Sequence, residues 1–318
     1  MKIVVLDGSA VNPGDLRWDP IKKFGDVTVY DYTAPEETIP RLQGADIALT
    51  NKTILDAAVL DACPTVKLIC VLATGYNVVD CEDTKRRGIP VCNVPAYGTA
   101  AVAQFTFALL LELCHQVGYH SKAVHHGKWC ESRNFCFWDT PQMELAGKTI
   151  GIIGFGRIGR SVGKIARAMD MKVIAYNRSR CSEGEEIGQY VDLETLLTTA
   201  DIISLHCPLT DENAGLINAQ TLSLMKDGAI LLNTARGPLV DEQAVADALV
   251  AGKLRGAAVD VVSREPMVRN NPLLTAPNCI ITPHMAWAPT ESRQRILECT
   301  ARSIAAFLDG KPINTINM

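Results

Sequence analysis

A glycine-rich turn in the middle of the chain constrains the fold more than any other stretch of the sequence. In TIGIIGFGRIGR, Gly154, Gly156 and Gly159 follow a β-branched run and precede a helical pattern. The first glycine permits a tight bend, the second lets a pyrophosphate approach the backbone, and the third allows close helix–strand packing. The amides of Arg157 and Ile158 then face the phosphates from the positive end of the helix. The turn predicts a dinucleotide-binding βαβ unit.

Strands and helices alternate on both sides of this turn. Five β-branched runs precede it and six belong to a second series that begins with it: KIVVLD, VTVYDY, DIALTN, VKLICVLA and IPVCNV, then KTIGIIG, KVIAYN, DIISLHC, AILLNTA, GAAVDVV and CIITPH. Helical patterns separate the strands, as in parallel sheets covered by helices. The sequence therefore predicts an α/β protein with two doubly wound parallel-sheet domains, Rossmann-like or flavodoxin-like, with a cleft between them.

Two helices fall outside this regular alternation. An apolar helix is predicted from Ala100 to about Val117, after a segment in which Pro95 and Gly98 mark a domain crossing. The last helix, about 290–308, follows the complete second series, so it is free to pack back on the first domain.

Composition excludes several functional classes. A chain of 318 residues with net charge −4 has no basic excess for nucleic acid, and no apolar run approaches the roughly 18 residues of a membrane span. The 11 cysteines include no CxxC pair, which favours reduced thiols in the cytoplasm. The histidines at 115, 120, 125 and 126 lack accompanying ligands at metal-site spacing, so a solvated helix end or a subunit contact is expected, and no metal site.

The residues after the second strand of the predicted dinucleotide unit bear on the cofactor. Asn177 stands where an acidic residue would bind the ribose hydroxyls of NAD and repel a 2′-phosphate. Arg178 or Arg180 could pair with that phosphate, with Ser179 as a further donor, so NADPH is favoured over NADH. The alternative is that Asn177 binds the ribose of NAD and the arginines are solvated.

Three polar residues at the ends of later strands are the catalytic candidates. Arg236 follows AILLNTA, Glu265 follows GAAVDVVS and His284 follows CIITP. An arginine fork suits a 2-oxo carboxylate, a histidine can exchange a proton with the carbonyl oxygen, and a carboxylate can fix the histidine tautomer. His206 is a rival base, but its place at the end of a middle strand suits a structural role near the adenosine half of a cofactor.

These motifs together resemble those of the D-isomer-specific 2-hydroxyacid dehydrogenases. The resemblance rests on GIIGFGRIGR, LHCPLT, LLNTARGPLVDEQAVADAL, AAVDVVSREP and ITPHMAWA, and it extends over essentially the whole chain. It implies a discontinuous substrate domain, 1–98 with 288–318, and a dinucleotide-binding domain, 99–287. It also implies roles for seven residues: Arg236 in substrate binding, His284 as acid/base with Glu265 as its partner, Asp260 near the nicotinamide carboxamide, and Cys207, Thr234 and Ala235 along the cofactor.

The resemblance further implies a substrate site. VLATGYNVVD is similar to the family loop whose amides, here Ala73, Thr74 and Gly75, hold the substrate carboxylate, and FCFWD with HMAWA is most similar to the glycerate dehydrogenase or hydroxypyruvate reductase branch. Candidates for shaping the pocket are Asn51, Trp138 and Trp287. Gln104 stands where many relatives have glutamate, and no interpretation follows from that.

The expected activity is NAD(P)H-dependent reduction of a small 2-oxo acid, hydroxypyruvate or glyoxylate, to the D-2-hydroxy acid, and the reverse oxidation. Two alternatives stay open: a dinucleotide-sensing interaction protein similar to the corepressor relatives, and a dehydrogenase of D-lactate-like or longer acids. The only partner expected besides the small-molecule substrate is a second copy of the chain, in a homodimer.

Overall fold

The computed structural model describes residues 1–318, which divide into two α/β units. One unit comprises Met1–Gly98 with Trp287–Met318, and the other comprises Thr99–Ala286. The second boundary lies one residue before the predicted position. Each unit contains one parallel sheet, so the predicted fold class is confirmed.

The first unit contains five strands and five helices. They are β1 (Lys2–Val5), α1 (Asp19–Lys22), β2 (Asp26–Val29), α2 (Pro35–Leu42), β3 (Ile47–Thr50), α3 (Ala57–Ala62), β4 (Leu68–Val71), α4 (Cys81–Arg86), β5 (Val91–Cys92) and α12 (Thr290–Leu308). The strand order is β2-β1-β3-β4-β5 and all pairs are parallel, which is the flavodoxin-like arrangement. Its topological switch point lies between β1 and β3.

Both faces of this sheet are buried, which explains the unbroken apolar strand sequences. Along β1, Ile3 and Val5 belong to one core cluster, whereas Val4 belongs to another. The first cluster also contains Ile296 and Ile304 of α12, so the last helix covers one face of the first sheet.

The second unit contains seven strands and seven helices. They are α5 (Thr99–His115), α6 (Val117–His125), β6 (Thr149–Ile153), α7 (Arg157–Ala168), β7 (Lys172–Tyr176), α8 (Ser182–Ile187), β8 (Gln189–Tyr190), α9 (Leu193–Thr199), β9 (Ile202–Leu205), α10 (Ala219–Leu224), β10 (Ala229–Asn233), α11 (Glu242–Val250), β11 (Leu254–Val259) and β12 (Cys279–Ile281). The order β8-β7-β6-β9-β10-β11-β12 is that of a Rossmann sheet extended by one strand.

One strand of the second sheet was not predicted. The sequence predicts six strands, but β8 adds a seventh that pairs with β7 over only two residues. A segment this short shows no periodicity, because alternation needs about four residues to be visible.

The apolar helix α5 packs inside the second unit. Eight of its residues are buried, and Phe107 and Leu110 belong to the core cluster on one face of the second sheet. No single helix has the length and apolar character of a membrane span, and the only combination that meets the criterion by length and composition is the pair α5 and α6, bent by 57°.

Candidate active site

The loop after β10 carries Arg236 in a fixed backbone conformation. The side chain of Asn233, which is fully buried, donates to the carbonyl of Arg236 (2.9 Å) and accepts from the amide of Ala235 (3.0 Å). The next residue, Gly237, lies so close to the backbone of Val262 that a β-carbon there would overlap it. The loops after β10 and β11 are therefore packed together, and Arg236 is exposed beside them.

The sequence-predicted pair of Glu265 and His284 is formed in the structure. His284 Nδ1 lies 2.7 Å from Glu265 Oε2, and Glu265 Oε1 accepts a longer bond from the amide of Val262 (3.3 Å). About a third of each side chain is exposed, 34% for the histidine and 37% for the glutamate. Because Nδ1 faces the carboxylate, proton exchange with a substrate would use Nε2.

Asp260 secures the segment that carries His284. Its carboxylate, in a residue only 1% exposed, accepts hydrogen bonds from Thr282 Oγ1 (2.6 Å) and from the amides of Met285 (2.9 Å) and Ala286 (2.8 Å). Burial raises the pKa of Asp260, and the three donors oppose that shift. The bonds on both sides hold His284 in the left-handed region at φ +52°. The predicted contact of Asp260 with a nicotinamide carboxamide stays a prediction.

The glycine turn has the geometry of a phosphate cradle. Gly154 adopts φ +94°, and its amide bonds to the carbonyl of Tyr176 (2.9 Å). Helix α7 follows with Gly156 as its N-cap, and the first amide bonded within the helix is that of Arg160, which donates to Gly156 (2.9 Å). The earlier amides of Arg157 and Ile158 therefore have no acceptor within the helix.

The space around the three glycines differs, and this tests whether a pyrophosphate fits. A β-carbon on Gly154 or Gly159 would overlap backbone atoms, whereas one on Gly156 would meet nothing within 4 Å. The open side therefore lies over the second glycine, beside the uncapped amides of α7. Backbone donors facing open space at the positive end of a twelve-residue helix suit a pyrophosphate.

The segment after β7 connects to this turn. Asn177 Oδ1 accepts from the amide of Phe155 (3.1 Å), and its Nδ2 donates to the carbonyl of Ser179 (2.6 Å). Arg178 and Arg180 are exposed, neither forms an ion pair, and the guanidinium of Arg180 lies 5.7 Å from the ring centroid of Tyr190.

The remaining cofactor candidates lie at the carboxyl ends of β9 and β10. Burial raises the pKa of the Cys207 thiol, and the Cys207 amide lies directly against Gly154. Thr234 Oγ1 is 3.1 Å from Thr106 Oγ1, and Ala235 is 8% exposed. Their contacts with a cofactor stay predictions.

His206, the rival base, is placed in a different environment from His284. Its Nε2 lies 2.8 Å from Ser204 Oγ, and its Nδ1 is buried without a partner. Desolvation lowers the pKa of His206 to about 3, so the ring is neutral at physiological pH. A permanently neutral imidazole is a poor proton donor, which favours the structural role predicted for it.

The substrate-side candidates of the first unit lie at the carboxyl edge of its sheet. Thr74, in the loop after β4, donates through Oγ1 to the carbonyl of Val94 (2.8 Å), and its own carbonyl accepts from Asn93 Nδ2 (2.7 Å). This fixes the stretch from Ala73 to Gly75. Asn51 follows β3 at the same edge and is 5% exposed. Their roles in substrate binding stay predictions.

Among the aromatic candidates, Trp287 is packed and Trp138 is not. Trp287 forms an edge-to-face contact with Tyr97 at 6.3 Å within the first unit. Trp138 is 65% exposed, and Gln104 is exposed on α5. No group of His, Cys, Asp or Glu side chains is arranged to hold a metal ion.

The sequence does not reveal two buried side chains that hold candidate loops, one in each unit. Asn233 locks the loop of Arg236, and Asp7 holds the loop of Asn51 through backbone amides. The available signal was a polar residue directly after an apolar strand, but that signal does not reveal whether the side chain faces a ligand or a neighbouring loop.

Comparisons with known proteins agree with this geometry. Residues 107–286 match the family model described as D-isomer specific 2-hydroxyacid dehydrogenase, NAD binding domain. The chain is 52% identical to a hydroxypyruvate reductase of Blautia hydrogenotrophica, with 100% of both chains covered. It resembles the structure of an acyclic imino acid reductase in complex with NADPH and D-Arg, with 32% identity, TM-score 0.85 and coverage of 99% and 100%. It also resembles Aquifex aeolicus D-lactate dehydrogenase complexed with NAD and lactic acid, with 30% identity, TM-score 0.84 and coverage of 100% and 99%.

Proposed function

We propose that this chain, which belongs to the D-isomer-specific 2-hydroxyacid dehydrogenase family, reduces hydroxypyruvate to D-glycerate and glyoxylate to glycolate, and catalyses the reverse oxidations. Family membership makes it a nicotinamide-dependent oxidoreductase. The substrate is supported by the 52% identical hydroxypyruvate reductase. The observation that carries the chemistry is the 2.7 Å pair of His284 and Glu265, in the unit that contains the glycine turn.

The three proposed catalytic residues have distinct tasks. The amides of Arg157 and Ile158 would hold the pyrophosphate of a dihydronicotinamide cofactor, which would supply the hydride for the carbonyl carbon of the 2-oxo acid. His284 Nε2 donates a proton to the carbonyl oxygen, and Glu265 stabilises the imidazolium and its orientation through Nδ1. The Arg236 guanidinium binds the substrate carboxylate or carbonyl oxygen, for which its planar fork is suited. In the oxidation of the hydroxy acid, His284 takes the proton back.

We infer that NADPH is the preferred cofactor. Asn177 brings no negative charge to the end of β7, and neither of the two exposed guanidinium groups beside it forms an ion pair. A 2′-phosphate placed there would meet two cations and no carboxylate at residues 177–180. The observed bonds of Asn177 to Phe155 and Ser179 also support a role in shaping this turn.

We also propose that the chain forms a homodimer in the cytoplasm. The stretch 117–138 of the second unit exposes large apolar side chains that a monomer would leave in water: Val117 (62%), Tyr119 (49%), Trp129 (51%), Phe135 (89%) and Trp138 (65%). The cytoplasmic location is supported by the 11 free cysteines, because reduced thiols are typical of a reducing compartment.

The decisive experiment is steady-state oxidation of NADPH and of NADH with hydroxypyruvate and with glyoxylate. We expect turnover with both acids and a higher kcat/KM with NADPH. A higher kcat/KM with NADH would contradict the cofactor assignment but not the proposed activity. If neither cofactor is oxidised with either acid, the proposed activity is wrong and a dinucleotide-sensing role takes its place.

Two arginine variants and one control test whether Arg178 and Arg180 determine the cofactor preference. Arg178→Ala and Arg180→Ala should each lower kcat/KM for NADPH about tenfold or more, since a charge-assisted hydrogen bond contributes roughly 1.5–3 kcal/mol. The value for NADH should not change. Lys172→Ala removes an exposed cation from the opposite end of the same strand and should affect neither cofactor.

A further inference from the structure

The carboxylate of Asp7 binds three consecutive backbone amides. Asp7 lies two residues after the end of β1 and is 5% exposed. Its Oδ1 accepts from the amide of Asn51 (2.7 Å), and its Oδ2 accepts from the amides of Lys52 and Thr53, the latter at 2.9 Å. Burying a carboxylate is costly unless it is hydrogen-bonded. No cation pairs with this one, so its hydrogen bonds serve to fix the backbone of residues 51–53.

These residues lie at the switch point of the first sheet. β1 and β3 are adjacent central strands, and the amide of Leu6 bonds to the carbonyl of Leu49 (3.0 Å) where they end. In doubly wound sheets, ligands bind outside the carboxyl ends of the strands where the order reverses. The loop that Asp7 fixes continues to Leu55, whose amide donates to the carbonyl of Val78 (2.8 Å). Val78 follows the 73–75 stretch in the chain.

The side chain of Asn51 is exceptional among the buried asparagines. Asn12, Asn233, Asn271 and Asn317 are also buried, and each of their side chains donates and accepts hydrogen bonds within the chain. Asn51 is 5% exposed, its backbone is bound by Asp7, and its side-chain amide forms no hydrogen bond with the protein. The Asn51 amide atoms are not among the buried side-chain atoms that lack a partner, so they reach solvent at the carboxyl edge of the sheet, where a ligand can form hydrogen bonds with them.

We propose that Asp7 is a positioning residue that acts through Asn51. By fixing the loop, it holds the Asn51 amide where it forms a hydrogen bond with the 3-hydroxyl group of hydroxypyruvate. The inference rests on the proposed function and adds a determinant of substrate choice, because glyoxylate carries hydrogen in place of the hydroxymethyl group. Asp7 itself does not contact the substrate.

The test compares Asp7→Asn with a matched control in the same sheet. In Asp7→Asn, an amide nitrogen replaces one acceptor and faces backbone donors, so the loop is released. KM for hydroxypyruvate should rise about tenfold, the effect of roughly one hydrogen bond. KM for glyoxylate and for the dinucleotide should not change.

Asp46→Asn is the control. The Asp46 carboxylate accepts from the amide of Lys2 (3.0 Å) and from Lys67 Nζ (3.0 Å), before β3 instead of after it. A merely structural role for Asp7 predicts that the two variants lose stability alike and leave both KM values unchanged. That result overturns the inference. An equal rise of KM for hydroxypyruvate and glyoxylate in Asp7→Asn overturns it too.

A double variant tests whether Asp7 acts through Asn51. Asn51→Ala should also raise KM for hydroxypyruvate and leave that for glyoxylate unchanged, and adding Asp7→Asn should raise it no further. If the two effects multiply, Asp7 does not act through the amide.

Should Asp7→Asn not fold, Thr50→Val serves in its place. Thr50 Oγ1 donates to the carbonyl of Thr53 (2.8 Å) and fixes the same loop from the strand side, so its removal should give the same substrate-dependent change. Wild-type enzyme inactive on both acids refutes the proposed function. If the wild-type enzyme is active but the variants at positions 7 and 50 behave like Asp46→Asn, only this inference is refuted.

Discussion

At the scale of single residues, one hydrogen bond determines how His284 can act. The Glu265 carboxylate accepts a hydrogen bond from Nδ1 of His284 (2.7 Å). The neutral imidazole therefore has a defined tautomer, and the protonated ring is paired with a carboxylate. His206, by contrast, lies beside a neutral hydroxyl and remains uncharged. The two histidines at strand ends thus differ in the charge of their neighbour, and only one is suited to proton transfer.

Replacing Glu265 by glutamine should lower kcat without weakening cofactor binding. The glutamine keeps an acceptor but loses the charge that stabilises the imidazolium, and a bond to a charged group contributes roughly 1.5–3 kcal/mol, so kcat should fall about tenfold to a hundredfold. The measurement is steady-state kinetics with titration of the dinucleotide by fluorescence.

Glu242→Gln is the matched control for this variant. Glu242 binds the amide of Ser263 (2.7 Å) and Asn271 Nδ2 (2.8 Å), so it supports the loop of Glu265 without contacting the histidine. Equal losses of kcat in the two variants would show that Glu265 only supports the loop.

His206 should make the protein sensitive to acid. Its pKa is about 3 in the folded state and about 6.5 when unfolded, so the unfolded chain binds the proton first. The free energy of unfolding should therefore be unaffected by this residue above pH 6.5 and fall by roughly 1.4 kcal/mol per unit as the pH drops toward 3. His206→Gln keeps a polar side chain near Ser204 but takes up no proton in this pH range. Urea unfolding across this pH range should give a smaller slope for the variant, and identical slopes would refute the assignment.

At the scale of elements, the loops at the carboxyl ends of the strands are held by buried polar side chains. Asn233 fixes the loop after β10, Asp260 fixes the loop after β12, and Asp7 fixes the loop after β3. In each case the anchor lies at or just after the carboxyl end of a strand and binds backbone groups of its own or a neighbouring loop. Functional side chains on loops are thereby placed with the precision of the sheet.

Substitutions at two glycines of the turn should affect different properties, dinucleotide affinity at Gly156 and stability of the fold at Gly159. Gly156→Ala adds a methyl group where nothing lies within 4 Å, so the fold should be retained while the cofactor loses its space. Thermal unfolding should change little, and dinucleotide affinity should fall at least about tenfold, or roughly 1.4 kcal/mol. Gly159→Ala places the methyl group against the carbonyl of Gly154 and should lower the melting temperature instead. A stable Gly159→Ala protein, or normal affinity in Gly156→Ala, would contradict this division of roles.

At the scale of the whole molecule, the exposed aromatic stretch determines the expected assembly. We expect light scattering after size exclusion to give twice the chain mass of 34.5 kDa. Phe135→Asp combined with Trp138→Asp should shift the protein toward the monomer, because charged groups would replace the most exposed aromatic surface of the stretch.

Tyr32→Asp is the control for the assembly experiment. Tyr32 is 70% exposed, but it lies in the first unit and outside the stretch 117–138. It should leave the mass unchanged. A monomeric wild-type protein at micromolar concentration would refute the dimer.

The fold class, the glycine turn and the proximity of Glu265 and His284 could be predicted from the sequence, because each depends on local signals or on the order of the strands. Apolar runs specify parallel strands, glycine spacing specifies a phosphate turn, and strand ends in a parallel sheet meet at one edge, so Glu265 and His284 could be brought together from topology alone. For α12 the sequence showed only that the helix was free to pack on the first unit, since the second series was complete without it.

Which of the polar residues at those edges hold the loops could not be predicted, because that depends on the tertiary structure. Asp7, Asn233 and Asp260 look alike in the sequence, as polar residues after apolar strands, and their partners are backbone amides and carbonyls that carry no sequence signal. The two-residue strand β8 was missed for a related reason, since its pairing with β7 is formed by backbone groups of a segment too short to show periodicity. Side-chain chemistry can be predicted from residue identity, but the direction of a buried hydrogen bond depends on which loops the fold brings together.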